Sequence, residues 1–182
     1  MAGAAAGGPR IAPGSAREIG RINAGIARAI GLATRSGPPN VFTTLARHRR
    51  LFRRWLRFAG ALMPGGRLPR RDTELVILRV AHATACDYEW HHHERLGRRA
   101  GLSPQEIARV RDGVAADGWT ERQALLLRAT DELLADHTLS DEVWDGLRPL
   151  LSDEELIELC MLAGHYGMLA GTLNALRVEV DS

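Results

Sequence analysis

The chain has 182 residues, 45% hydrophobic and 25% charged, the balance of one soluble globular domain with room for a sizeable core. No run of 18 consecutive apolar residues occurs and no secretory leader pattern opens the chain, so a cytoplasmic protein without a membrane span is expected. The net charge of +2 rests on 24 arginines and no lysine at all, which excludes a Schiff-base lysine mechanism.

In chain order, residues 1–15 are small and Gly/Pro-rich and read as a mobile tail; residues 16–182 read as a single all-α domain. Helices are predicted over 16–32, 40–47, 49–62, 70–85, 86–100, 103–112, 120–136, 140–148 and 152–176, from apolar spacing of 3.6 residues and from capping signals. The stretches "SPQE" from Ser103, "TERQ" from Thr120 and "SDEE" from Ser152 have the capping-box pattern, and Gly101 and Gly113 sit where helices should stop. "MPGGRLP", residues 63–69, is the clearest loop.

Charge is split unevenly. Residues 1–71 carry 14 Arg against the single acid Glu18, a balance of +13, while residues 72–182 carry 10 Arg and 21 acids, a balance of −11. The helix over 49–62 concentrates arginines beside an apolar stripe of Leu51, Trp55, Phe58 and Leu62. It could be an anion-binding surface or simply a packed helix with solvated charges. The acids elsewhere in the chain and the lack of any nucleic-acid motif favour the second, so no nucleic acid and no membrane is expected as partner.

The densest chemistry lies in "TACDYEWHHHERLG", Thr84 to Gly97. On a helix from Cys86, steps of about 100° place Cys86, Glu89 and His93 within one inward sector, with Trp90 flanking it, while His91 faces water and His92 lies at the edge. Cys86 opens this helix, where the amide N–H groups favour a thiolate. Glu89 and His93, one turn apart, can hydrogen-bond, which would fix the imidazole tautomer. Glu74, among apolar neighbours on the preceding helix, is a second acid suited to carrying a proton. Two cysteines, Cys86 and Cys160, make no disulfide framework. Glu89 and His93 with His82 or Glu74 could hold a metal, but no H-E-x-x-H pattern is present, so neither metal nor cofactor is expected. A nucleophilic Cys–His pair is also conceivable but has no readable oxyanion element.

The stretch "TELVILRVAHATACDYEWHHHERLGRRAGLSPQEI" resembles the core of the carboxymuconolactone decarboxylase and alkylhydroperoxidase D superfamily, and the likeness extends over residues 38–178. It implies a compact multi-helix bundle, a homo-oligomer such as a trimer or hexamer, and a small-molecule substrate. In the peroxidase branch the motif is Glu, eleven residues, Cys-x-x-Cys, three residues, His. Here Glu74, Cys86 and His93 keep that spacing, but Glu89 stands in place of the second cysteine, so dithiol peroxidase activity is not expected. The decarboxylase branch implies acid–base chemistry with His93 as acid or base, Glu89 as its orienting partner and Glu74 as second proton carrier. Cys86 and Tyr88 would then supply hydrogen bonds to substrate, Arg79 or another arginine a carboxylate contact, and His165 and Tyr166 the facing wall. A one-cysteine thiol peroxidase built on Cys86 and a non-catalytic ligand-binding or scaffold member are the alternatives.

Overall fold

A computed structural model describes residues 7–34 and 37–181. Among these residues there are ten α-helices and no strand: α1 Ala16–Ile19, α2 Arg21–Thr34, α3 Asn40–Leu45, α4 Arg49–Leu62, α5 Arg70–Ala83, α6 Asp87–Arg99, α7 Pro104–Arg109, α8 Glu121–Ala135, α9 Asp141–Leu147 and α10 Asp153–Leu176. A 3-10 turn, Val110–Ala115, follows α7. The all-α expectation is met, and the helix ends fall within a few residues of those expected. The chain forms two compact units, residues 1–58 with 172–182 and residues 59–171.

In the first unit, residues 1–6, the start of the expected tail, lie outside the described residues. From Arg10 the backbone is tied down: Arg10 N–H donates to Leu176 O at 2.9 Å and Gly14 N–H to Thr43 O at 3.1 Å. The helix expected over 16–32 is two helices. Gly20 takes φ 84° between them, a conformation cheap only for glycine. The Arg49 guanidinium then binds the freed carbonyls of Arg17 and Glu18 at 2.8–3.0 Å. The apolar stripe of α4 is also shifted by one residue. Phe52 is buried with Phe42 and Trp55 around it, ring centroids 6.0–6.2 Å apart, whereas Leu51 is 56% exposed. Three aromatic rings outweigh one leucine in apolar area, which sets the rotation of the helix.

The second unit is built on α5, which packs against α6 and α8. Leu75, Val76, Ile77 and Leu78 are wholly inaccessible, so α5 is covered on every side, and each such side chain contributes about 1.5–3 kcal/mol. Leu75 and Leu78 join Leu102, Ile107, Val110 and Leu127 in one core cluster. The three expected capping boxes are present at Ser103, Thr120 and Ser152. The helix expected over 103–112 gives way to the 3-10 turn because Gly113 has φ 61° and Arg79 takes the Val110 and Arg111 carbonyls, at 2.9 and 3.3 Å. The loop at residues 63–69 is held by the buried Glu158 of α10, which accepts from the Arg67 and Leu68 amides at 2.5 and 3.2 Å. Among the described residues one helix, α10, is long and apolar enough by length and composition to cross a bilayer, and 56% of its apolar window is buried inside the protein.

Candidate active site

Every acid–base group of the motif lies in the second unit. The centre is a pair between α5 and α6. Glu74, 0% exposed, places Oε2 2.7 Å from Nδ1 of the buried His93. α5 supplies Glu74 from a helix buried all round, and α6 lays His93 over it. With Nδ1–H donated to the carboxylate, Nε2 carries the lone pair. The other Glu74 oxygen, Oε1, is 3.0 Å from Nη2 of Arg70, one turn earlier on α5. That contact is an ion pair without hydrogen-bond geometry, so Oε1 has no hydrogen-bond donor.

Cys86 is the N-cap residue of α6 and is inaccessible. Burial and the neighbouring Glu89 carboxylate push its thiol up to about 12, against the opposing pull of the Glu89 and Tyr88 amides. Glu89 is buried as well, and neither of its oxygens has a hydrogen-bond partner of good geometry. Desolvation lifts its carboxyl to about 8, the nearby Cys86 thiol acting weakly the other way. Glu89 is therefore a neutral acid at pH 7 while Glu74 is paired with a base.

The facing wall comes from α10. Tyr166 is buried with its ring edge-on to His93, centroids 5.2 Å apart, and its hydroxyl 3.4 Å from the Met63 sulfur. Burial, then Glu74 and Glu89, push its phenol far above the usual range. His165 is buried, its ring 5.2 Å from that of Tyr166, and desolvation lowers its pKa. Glu74, His93 and Tyr166 thus lie against one another, with Cys86 near Glu89 at the start of α6 and His165 beside Tyr166.

Other expected positions differ. Glu89 does not orient His93; Glu74 does, because α5 and α6 pack side by side and bring that carboxylate onto Nδ1. Arg79 is committed to Asp131, at 2.6 and 3.0 Å, and to the Val110 carbonyl, so it is not the substrate's cation. Trp90 packs on the Leu75/Leu78 cluster with Arg111 stacked 4.6 Å from its ring centroid. Tyr88 is buried with its ring 4.5 Å from that of His92. His91 is exposed. Cys160 is half-buried and lines two surface depressions of about 500 and about 680 Å³ on α8 to α10, neither of which touches the acid–base cluster. Among the described residues no group of three or more His, Cys, Asp or Glu is arranged to hold a metal. Arg70 was legible in principle, four residues before Glu74 on the same helix.

Residues 49–132 match the carboxymuconolactone decarboxylase family model. A peroxidase-related protein with an alkylhydroperoxidase AhpD core, from Ralstonia eutropha JMP134, superposes with a TM-score of 0.82 at 20% identity, over 94% of this chain and 93% of that one. The chain thus carries a segment similar to the carboxymuconolactone decarboxylase family and has the fold of AhpD-like proteins. Other solved structures share the fold at lower identity. The debrominase Bmp8, in a cysteine-to-alanine variant complexed with 2,3,4-tribromopyrrole, gives a TM-score of 0.77 at 15% identity over 94% of this chain and 91% of that one. A peroxidase-related protein of Silicibacter sp. TM1040 gives 0.75 at 16% identity over 85% and 83%. Comparison with functionally curated proteins yields no match. The Glu74–Cys86–Glu89–His93 cluster falls inside the segment that the family model covers.

Proposed function

We propose that this protein is an acid–base enzyme of the carboxymuconolactone decarboxylase-like family acting on a small keto, lactone or carboxylated compound, by decarboxylation or a related isomerisation, dehydration or cyclisation. One observation carries the reading: a fully buried Glu74–His93 pair at 2.7 Å beside a second carboxyl, Glu89, lifted to about 8. The first provides a base at Nε2 of His93, the second a proton donor near neutrality. For a β-keto acid the carbon–carboxylate bond breaks, CO2 leaves, and its electron pair enters the adjacent carbonyl as an enolate. The enolate carbon then takes a proton from Glu89, which is reprotonated from solvent. For isomerisation, His93 Nε2 removes the proton next to the carbonyl and returns it at another carbon.

A thiol at about 12 is a poor nucleophile at neutral pH, which weighs against Cys86 as the reacting group. The Tyr88 and Glu89 amides at the sulfur still favour a second reading, a one-cysteine thiol peroxidase. There the thiolate takes the distal oxygen of a hydroperoxide, giving an alcohol and a sulfenic acid that an external thiol reduces. Exposed Ile157, Met161 and Met168 along α10 support the view that the working form is a homo-oligomer.

The test is turnover of carboxylated lactones and β-keto acids by the wild type, His93→Ala, Glu74→Gln and Cys86→Ser. The acid–base reading expects the first two variants to lose about 10²–10⁴ in rate while Cys86→Ser stays active. Loss of activity only in Cys86→Ser, with rapid oxidation of Cys86 by an alkyl hydroperoxide, would put the peroxidase in its place.

A further inference from the structure

Residues 1–58 carry eleven arginines against one acid, Glu18. Part of that charge is used inside the fold: Arg47 pairs with Glu18 at 2.9 Å, and Arg49 takes the Arg17 and Glu18 carbonyls. Arg50, Arg53, Arg54 and Arg57 of α4 differ. All four are exposed and engage no acid or carbonyl among the described residues. Steps of about 100° place them in a sector about 100° wide, along about 10 Å of helix, opposite the buried Phe52. The sequence favours charges balanced by acids elsewhere in the chain, but the fold brings no acid to this face. Leu51 and Phe58 border the sector, 56% and 38% exposed. Helix α2, which shares the Phe52 core through Ala24 and Ile26, also leaves Ile22 and Leu32 exposed.

We propose that the arginine face of α4 docks the protein on an anionic phospholipid bilayer, as a peripheral contact and not a span. Two features together select this partner. A guanidinium is weakly hydrated and binds phosphate oxygens in pairs, so four of them with no competing carboxylate match a surface dense in phosphate. The exposed Leu51 and Phe58 beside them gain from entering the boundary between headgroups and acyl chains. A nucleic acid would use the arginines alone, leaving Leu51 in water and finding only the Phe58 ring on this face to stack against a base. The rest of the apolar side of α4 is held in the core by Phe52 and Trp55, so charge carries most of the contact and salt weakens it. This contact is independent of the acid–base reading.

The full chain is sedimented with vesicles of phosphatidylcholine alone and of equal parts phosphatidylcholine and phosphatidylglycerol, at low and high salt. Binding is expected to the anionic vesicles only, and to weaken as salt rises. Arg53→Gln combined with Arg57→Gln should weaken it about 25-fold, about fivefold for each charge, with circular dichroism showing that the pair variant is folded. Arg95→Gln combined with Arg99→Gln, which removes two exposed charges from α6, should stay within about twofold of the wild type. Leu51→Ser should also weaken vesicle binding, which a purely ionic contact would not show. No binding of the wild type to the anionic vesicles overturns the assignment, as does unchanged binding by the α4 pair. So does an equal loss in the α6 pair, which would mean net charge alone. A DNA duplex that binds tighter at equal phosphate concentration and is indifferent to Leu51→Ser overturns it in favour of nucleic acid. Light scattering of the same samples covers the remaining occupant: a fall in oligomer mass in the α4 pair would assign the face to a second copy of the chain and overturn the bilayer.

Discussion

Replacing Glu89 with glutamine keeps the shape of the side chain and removes its titration. The carboxyl shifts from its ordinary value of 4.5 to about 8 in the fold, chiefly by desolvation. A group whose folded pKa is raised binds its proton more tightly in the native state, so its contribution is fully present below about 4.5 and is lost as pH rises to about 8. At about 1.4 kcal/mol per unit, the whole span amounts to about 5 kcal/mol. Glu89→Gln does not titrate, so the stability of the wild type relative to the variant should be flat below pH 4.5, fall between 4.5 and about 8, and level off above. Urea unfolding of both proteins at successive pH values up to about 9 measures this, and groups other than Glu89 cancel in the difference. The Cys86 thiol, raised to about 12, titrates above this window. Parallel stability curves for the two proteins between pH 4.5 and about 8 would refute the desolvated, neutral Glu89 and with it the proton donor of the proposed mechanism.

At pH 7 a Cys86 thiol near 12 leaves about one molecule in 10⁵ as thiolate. Alkylation by iodoacetamide followed by mass spectrometry should therefore find Cys86 far slower than a free thiol, and Glu89→Gln, which removes a neighbouring negative charge, should speed it at alkaline pH. Arg79→Ala breaks a two-point ion pair to Asp131 and a bond to the Val110 carbonyl in a half-buried setting. Thermal or urea unfolding should show a loss of about 1.5–3 kcal/mol, with the affinity for a lactone acid unchanged, because Arg79 faces Asp131 and not the acid–base cluster.

Much of this protein is legible along the chain because it depends on neighbours in sequence. Capping boxes at Ser103, Thr120 and Ser152 act within one helical turn, and the 3.6-residue apolar rhythm marks each helix wherever it packs. The inward placement of Cys86, Glu89 and His93, and the outward placement of His91, follow from helical geometry alone. What the sequence by itself could not decide is which side chains from different helices meet. Helical spacing points to Glu89 as the partner of His93, and the packing of α5 against α6 puts Glu74 there instead. Arg79 is the cation the sequence singles out, and the fold commits it to Asp131 on α8 while Arg70 lies against Glu74. The raised acid of Glu89 is likewise a tertiary property, since desolvation depends on everything that surrounds the carboxyl and not on the residues beside it in the chain. Local rules fix the helices and their faces; long-range packing fixes the partners and the charges they carry.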